Sequence, residues 1–137
     1  MRRPSITIEA LHERQLGKLP DHFGARITDL QDGRMDMELE IQPWMIAPNG
    51  YLHAATVILL ADTACGYACW AHIPEGAKGF TTVELKSNFL STTRSGMIRT
   101  EAVAEHMGRT TQVWSATVFN EEGRKMALFR CTQVVLW

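Results

Sequence analysis

One ionisable side chain stands inside the most apolar stretch of the chain. From His53 to Trp70 the sequence reads HAATVILLADTACGYACW, and Asp62 is its single charged residue. At 1.5 Å rise per residue this stretch makes a helix of about 27 Å. A carboxylate in such a helix is costly unless it is paired or used. Ala54 and Ala55 open the stretch, where a helix has N–H groups without partners and the positive end of its dipole. An acid that can act as base or nucleophile, and donors that can meet a developing oxyanion, are the two parts an acyl-transfer site requires. His53 stands before the first helical turn, a place for a cap or loop contact rather than a base.

The elements around this stretch alternate as strands do. Phe23 to Leu30 reads as a strand, Gln31 to Arg34 as a turn with an Asp-Gly signal, and Met35 to Ile41 as the clearest strand. In the latter, Met35, Met37, Leu39 and Ile41 point one way and Asp36, Glu38 and Glu40 the other. Residues 42–52 form a loop broken by Pro43, Pro48 and Asn49-Gly50. Beyond the helix, strands are expected over Phe80–Leu90 (with Val83, Leu85, Ser87 and Phe89 on one face), Met97–Met107, Thr110–Asn120 and Lys125–Trp137. Short turns between consecutive strands imply antiparallel neighbours. The expectation is an α+β fold: a long central helix wrapped on all faces by a curved antiparallel sheet of about five strands. Residues 1–22 read as a lead-in with a short helix through Ile8, Leu11 and Leu16, ended by Pro20, and residues 23–137 as the main domain.

The totals exclude several classes. The chain has 137 residues, enough for one domain with a real core. A net charge of −1 leaves no footprint for nucleic acid. A membrane span over 53–70 is disfavoured by Asp62, by strand-like flanks and by the lack of positive-inside asymmetry. The first ten residues contain two arginines and no apolar core of a secretory signal. Cys65, Cys69 and Cys131 are an odd number without metal-ligand spacing, and read as reduced core residues in a cytoplasmic protein. No metal or cofactor is expected. His12, His22, His72 and His106 read as surface or structural residues.

In combination, three segments resemble the hotdog-fold acyl-CoA thioesterases of the PaaI type. They are Gly50-Tyr-Leu-His53-Ala-Ala, Leu60-Ala-Asp62-Thr-Ala, and Thr82-Val-Glu-Leu-Lys-Ser-Asn-Phe-Leu90. The resemblance implies the hotdog fold, cleavage of CoA thioesters without a metal, and dimers often paired into tetramers. The family pattern is Asn-x-x-Gly-x-x-His-Gly-Gly with an acid nine residues after the His. Gly50, His53 and Asp62 match it; Ala54 and Ala55 replace the two glycines, and Ala47 stands at the Asn, with Asn49 two residues away. The resemblance makes Asp62 the acid, the Ala54 backbone N–H the oxyanion donor, and Thr82 a holder of the attacking water. Alanine retains the backbone N–H, so Ala54 can keep that role. His53, Ala55 and Asn49 fall at substrate-binding positions. Arg109 and Thr110, in Gly108-Arg-Thr-Thr111, resemble the stretch that touches the nucleotide, with Arg94 and Lys86 as further cations for CoA phosphates.

Two rival readings share the fold. A non-catalytic acyl-CoA sensor would keep the pocket and lose the acid. A dehydratase would pair a His with the helical acid, a role for which His53 is the candidate. Geometry adds one expectation. Ala55 and Asp62 are about 10 Å apart along one helix, whereas a reacting carbonyl must lie about 3 Å from both donor and attacking atom. Two antiparallel helices across a two-fold axis satisfy this, so each site is expected to use two chains.

Overall fold

Helix α3, Ala54–Ala71, is the axis on which the chain is assembled. His53 caps it, its Nδ1 accepting the Ala55 N–H at 2.9 Å. At the far end the His72 N–H returns to the carbonyls of Ala68 and Cys69, and Pro74 follows shortly. Burial alternates in pairs along the helix. Thr56, Val57, Leu60, Ala61, Ala64, Cys65, Ala68 and Cys69 are buried. Ile58, Leu59, Asp62, Thr63, Gly66, Tyr67 and Trp70 are half-buried. The sheet therefore covers one side of α3, not every face as its all-round apolarity implied. The other side is an open stripe with Asp62 at its middle.

The computed structural model describes residues 1–137. Two short helices, α1 (Ile8–Gln15) and α2 (Leu19–His22), precede strands β1 (Arg26–Gln31) and β2 (Arg34–Glu40). After α3 come β3 (Gly79–Phe89), β4 (Met97–Met107), β5 (Thr111–Phe119) and β6 (Lys125–Leu136). The six strands form one antiparallel sheet in the order β1-β2-β4-β5-β6-β3. The Asp32-Gly33 turn closes β1 on β2, with Gly33 at φ +72°. Met35, Met37, Leu39 and Ile41 enter the core as their alternation implied. The N-terminal helix ends at Gln15, before Gly17 at φ +72°; Pro20 instead opens α2, and Leu16 stays exposed.

Strand β3 departs from the expected order. It pairs with β6 and forms the outer edge, rather than lying beside β4. Residues 90–96 span the ends of β6 and β5. That crossing is about 14 Å at 4.8 Å per strand, and seven extended residues reach up to about 23 Å. A short link thus does not force adjacency here. Arg94 holds the link in place, its Nε donating to the Gly50 carbonyl at 2.7 Å.

Strand β3 also contains a β-bulge between Thr82 and Glu84. Phe80, Thr82, Leu85, Ser87 and Phe89 lie opposite Val135, Gln133, Cys131, Phe129 and Ala127 of β6. All five of those β6 residues are buried, so the β3 residues opposite them face the core side. The bulge thus puts Thr82 on the inner face in place of Val83. Leu85 and Phe89 nevertheless remain 41% and 48% exposed, because nothing in the chain covers this end of the inner face.

Beneath α3 a polar chain fastens the core. Trp114 Nε1 donates to Gln112 Oε1 at 2.9 Å, and Gln112 Nε2 donates to the His72 carbonyl at 3.1 Å. The buried His72 ring uses both nitrogens: Nδ1–H donates to the Ala68 carbonyl at 2.7 Å, and Nε2 accepts the Gly33 N–H at 2.8 Å. Only the neutral ring makes both bonds. Burial holds the His72 pKa below its ordinary value, against the opposing pull of the Ala68 carbonyl and Asp32. A lowered histidine pKa stabilises the fold above the unfolded value, and that stability is lost as pH falls through the folded value. The melting temperature should therefore drop as pH falls below about 6.5. His72→Gln should melt lower at neutral pH and give a flatter pH profile by calorimetry; parallel profiles would assign the acid loss to other groups.

Candidate functional site

The N-terminal end of α3 rests on a tight loop. Ile46 and Leu52 bridge, the Ala47 N–H donates to the Tyr51 carbonyl at 2.7 Å, and Gly50 takes φ +87°. Asn49 Oδ1 accepts the Tyr51 N–H at 3.2 Å, so its carboxamide stabilises this turn. In the first helical turn the Ala55 N–H goes to the His53 ring, and the Thr56 N–H to the His53 carbonyl. The Ala54 N–H has no partner, and Ala54 is exposed. One free donor at the positive end of an 18-residue helix is a place where negative charge is stabilised. Beside it a hollow of about 340 Å³ opens between Ala54, Val57, Phe89 and Leu90.

Asp62 stands two turns further along the open stripe. Its Oδ1 is buried and has no hydrogen-bond partner in the chain. Burial raises its pKa above the ordinary carboxylate value, with no counter-charge to offset it. A raised value moves a carboxylate toward the range in which it exchanges protons near neutrality.

Thr82 lies on β3 two residues beyond Phe80, whose ring packs against Gly66 on α3, where an added Cβ would touch that ring at 3.5 Å. Two residues along β3 advance about 6.6 Å, and one turn back along α3 from Gly66 is about 6 Å, at Asp62. The Thr82 hydroxyl donates to Gln133 Oε1 at 2.7 Å. With its proton committed, its lone pairs remain to accept. Gln133 is fully buried and was not identified from sequence. A polar residue at an inward position of the otherwise apolar β6 alternation is the signal that marks it.

Other residues with proposed roles are not gathered here. Arg109 stacks on the Trp137 ring at 4.5 Å, and its carbonyl accepts the Trp137 indole N–H. With Thr110 it sits in the β4–β5 turn, at the end of the molecule where α3 finishes. Within one chain it is thus a helix length from Ala54. Lys86 lies opposite Arg130 on the outer sheet face. The three cysteines are buried and unpaired.

A long helix laid on a six-stranded antiparallel sheet is the hotdog fold. The family model of the thioesterase superfamily matches residues 49–127, which hold the end of the loop, α3, β3, β4 and β5; the chain belongs to this superfamily and is a thioester hydrolase. It is similar to the proofreading thioesterase EntH of Klebsiella pneumoniae, 30% identical over 131 residues, covering 96% of this chain and 95% of the relative. The 1,4-dihydroxy-2-naphthoyl-CoA hydrolase of Escherichia coli is 27% identical, covering 96% of each. Among solved structures, a substituted form of thioesterase PA1618 from Pseudomonas aeruginosa superposes with a TM-score of 0.92 at 26% identity, covering 98% of this chain and 97% of that one. The PaaI protein of Escherichia coli shares the fold, with a TM-score of 0.82 at 21% identity, covering 92% and 90%.

The raised pKa of Asp62 has a consequence for stability. A carboxyl whose pKa is raised by folding stabilises the fold while protonated and loses that contribution as pH rises through the folded value. Asp62→Asn should therefore raise the melting temperature at neutral pH, with the gain vanishing below about pH 4. A lower melting temperature at pH 7 would mean that the ionised carboxylate is paired in the native state.

Proposed function

We propose that the protein hydrolyses acyl-CoA thioesters, with Asp62 as the catalytic acid–base group, in sites shared between two chains. The observation that carries this reading is the pair of unpartnered groups on one helix: the Asp62 Oδ1 and the Ala54 N–H. Each is what thioester cleavage requires, and they are about 12 Å apart along the axis. An antiparallel second α3 brings the donor of one chain to the acid of the other.

In this reading a water lies between Asp62 and Thr82. The Thr82 hydroxyl, donating to Gln133, accepts a hydrogen bond from this water, and Asp62 takes the water's other proton as its oxygen attacks the thioester carbon. The Ala54 N–H of the second chain receives the oxyanion. Collapse breaks the carbon–sulfur bond, and Asp62 returns its proton to the leaving thiolate. The free edge of β3 supports the dimer: an eleven-residue edge strand with exposed Val83, Leu85 and Phe89 is a template for pairing with a second copy. CoA recognition by Arg109 and Thr110 belongs to the same reading. The names of relatives, one of them an aryl-CoA hydrolase, support a CoA thioester as substrate. Buried reduced cysteines favour a cytoplasmic setting.

One feature favours the sensor reading: Ala47 has no side chain to do what the family Asn does. Turnover decides between the two. Asp62→Asn should lower kcat at least about a hundredfold with the fold intact, measured as CoA release from a panel of acyl-CoAs. Binding without release by the wild type would establish the sensor. Thr82→Val should reduce kcat/KM by roughly 1–3 kcal/mol, because Gln133 Oε1 then lacks its donor and the water its acceptor; an unchanged value returns Thr82 to a plain strand residue. For the shared site, inactive Asp62→Asn and Ala54→Trp chains are refolded together. Random pairing restores up to about a quarter of wild-type activity, since each heterodimer holds one intact site. A dead mixture with proven subunit exchange places the site within one chain.

A further inference from the structure

Beyond Asp62 the open stripe of α3 continues into a cavity of about 310 Å³ between α1, α3 and the start of β3. Gly66, Tyr67, Trp70 and Phe80 form its walls, and Arg14 and Lys78 its charged lining. For scale, a cavity of about 150 Å³ holds benzene, so this one has room for a ring with a substituent. Gly66 stands one turn from Asp62 and brings no side chain to the stripe between Asp62 and the cavity. The Tyr67 hydroxyl is committed to Gln15 Oε1 at 2.9 Å.

Three features of the lining have no counterpart in the chain. The Trp70 Nε1 is buried without an acceptor. The Arg14 guanidinium lies over the Trp70 ring at 4.7 Å and makes no ion pair or hydrogen bond. Lys78 is likewise unpaired. No acid lines the cavity. Asp21, which acts on Tyr67 from nearby, has its carboxylate turned to the Gly17 N–H. A buried N–H donor beside two free cations, walled by aromatic rings, is built for an aromatic group that ends in an anion.

We propose that this cavity is the acyl subsite, and that Arg14, Lys78 and the Trp70 indole N–H select an aromatic acyl group bearing a carboxylate on the side away from the thioester. The inference rests on the Asp62 reading, which places the scissile carbonyl one helical turn from the cavity mouth. Arg14 and Lys78 are specificity-determining residues here, with no part in bond breaking. CoA phosphates are the other anions that could meet these cations, and the experiment separates the two.

The test compares kcat/KM for 4-carboxybenzoyl-CoA and 4-methylbenzoyl-CoA, which share shape and differ in charge. Wild type should favour the carboxylated substrate by about tenfold or more, the scale of one charge-assisted contact. Arg14→Gln and Lys78→Gln should each erode that ratio several-fold, lowering kcat/KM for the carboxylated substrate more than for the methyl one. A wild type that cleaves both equally overturns the proposal and leaves the Asp62 reading standing. Equal losses on both substrates also overturn it and assign the cations to CoA. Inability of the wild type to cleave any acyl-CoA removes the parent reading and this one together. Gly66→Ala is a control with an intact fold: alanine suits a helix interior, and its Cβ meets Phe80 at an ordinary contact distance. It should melt no lower than wild type yet lose turnover of aryl substrates relative to acetyl-CoA. An unchanged aryl-to-acetyl ratio would place the acyl group elsewhere.

Discussion

A single sheet can cover one side of one helix, and this chain makes a helix that is apolar on both. The uncovered side of α3 is the constraint behind the rest of the structure. Three buried side-chain polar atoms lack a partner: Asp62 Oδ1, Trp70 Nε1 and Ser87 Oγ. Two belong to the open stripe of α3 and the third to the inner face of β3. An unsatisfied buried polar group costs about 1–3 kcal/mol, against a typical total stability of about 5–15 kcal/mol. All three lie on the seam where the chain's own cover stops, on the open side of α3 and on the inner face of the edge strand.

The seam exists because β3 lies at the edge. Had β3 paired with β4, the meander would have ended on another strand and α3 would rest differently. Residues 90–96 instead carry the chain back across two strand ends, and Arg94 ties that crossing to the loop that precedes α3. One interaction therefore couples the start of the helix to the end of the edge strand. The bulge after Thr82 then sets which side chains look into the seam. A regular strand would have sent Val83 inward and the Thr82 hydroxyl outward. The bulge reverses this and seats Thr82 on the buried amide of Gln133.

Local pattern was legible in the sequence wherever local physics decides the outcome. The alternation of β2, the Asp32-Gly33 turn, the length of α3 and the capping place of His53 follow from period, turn chemistry and end effects. The acid was legible because Asp62 is the only charge in an apolar run. Strand order was not, since a seven-residue link permits several partners and the choice depends on what crosses above it. Nor was the half-coverage of α3, because apolarity on all sides does not say which chain supplies the cover. Gln133 and the bulge depend on pairing between residues some fifty positions apart, and Arg14 on how α1 docks. The site is thus readable along the helix and unreadable across it.

The same uncovered stripe links stability to the proposed chemistry. Thioester cleavage requires donor and acid within about 3 Å of one carbonyl, and one straight helix holds its first N–H and its ninth side chain too far apart. Bending α3 would bring them closer, at the expense of the packing of Val57, Leu60 and Ala61 beneath. A second antiparallel helix does so with no distortion. It also covers the apolar residues that flank Asp62 and dries the carboxylate further, which raises its pKa in the direction that burial in the single chain already sets. In the proposed dimer, then, the contact that completes the core also completes the site. A chain that folded with α3 fully wrapped would gain stability and lose the place where, in that proposed dimer, acid and donor meet.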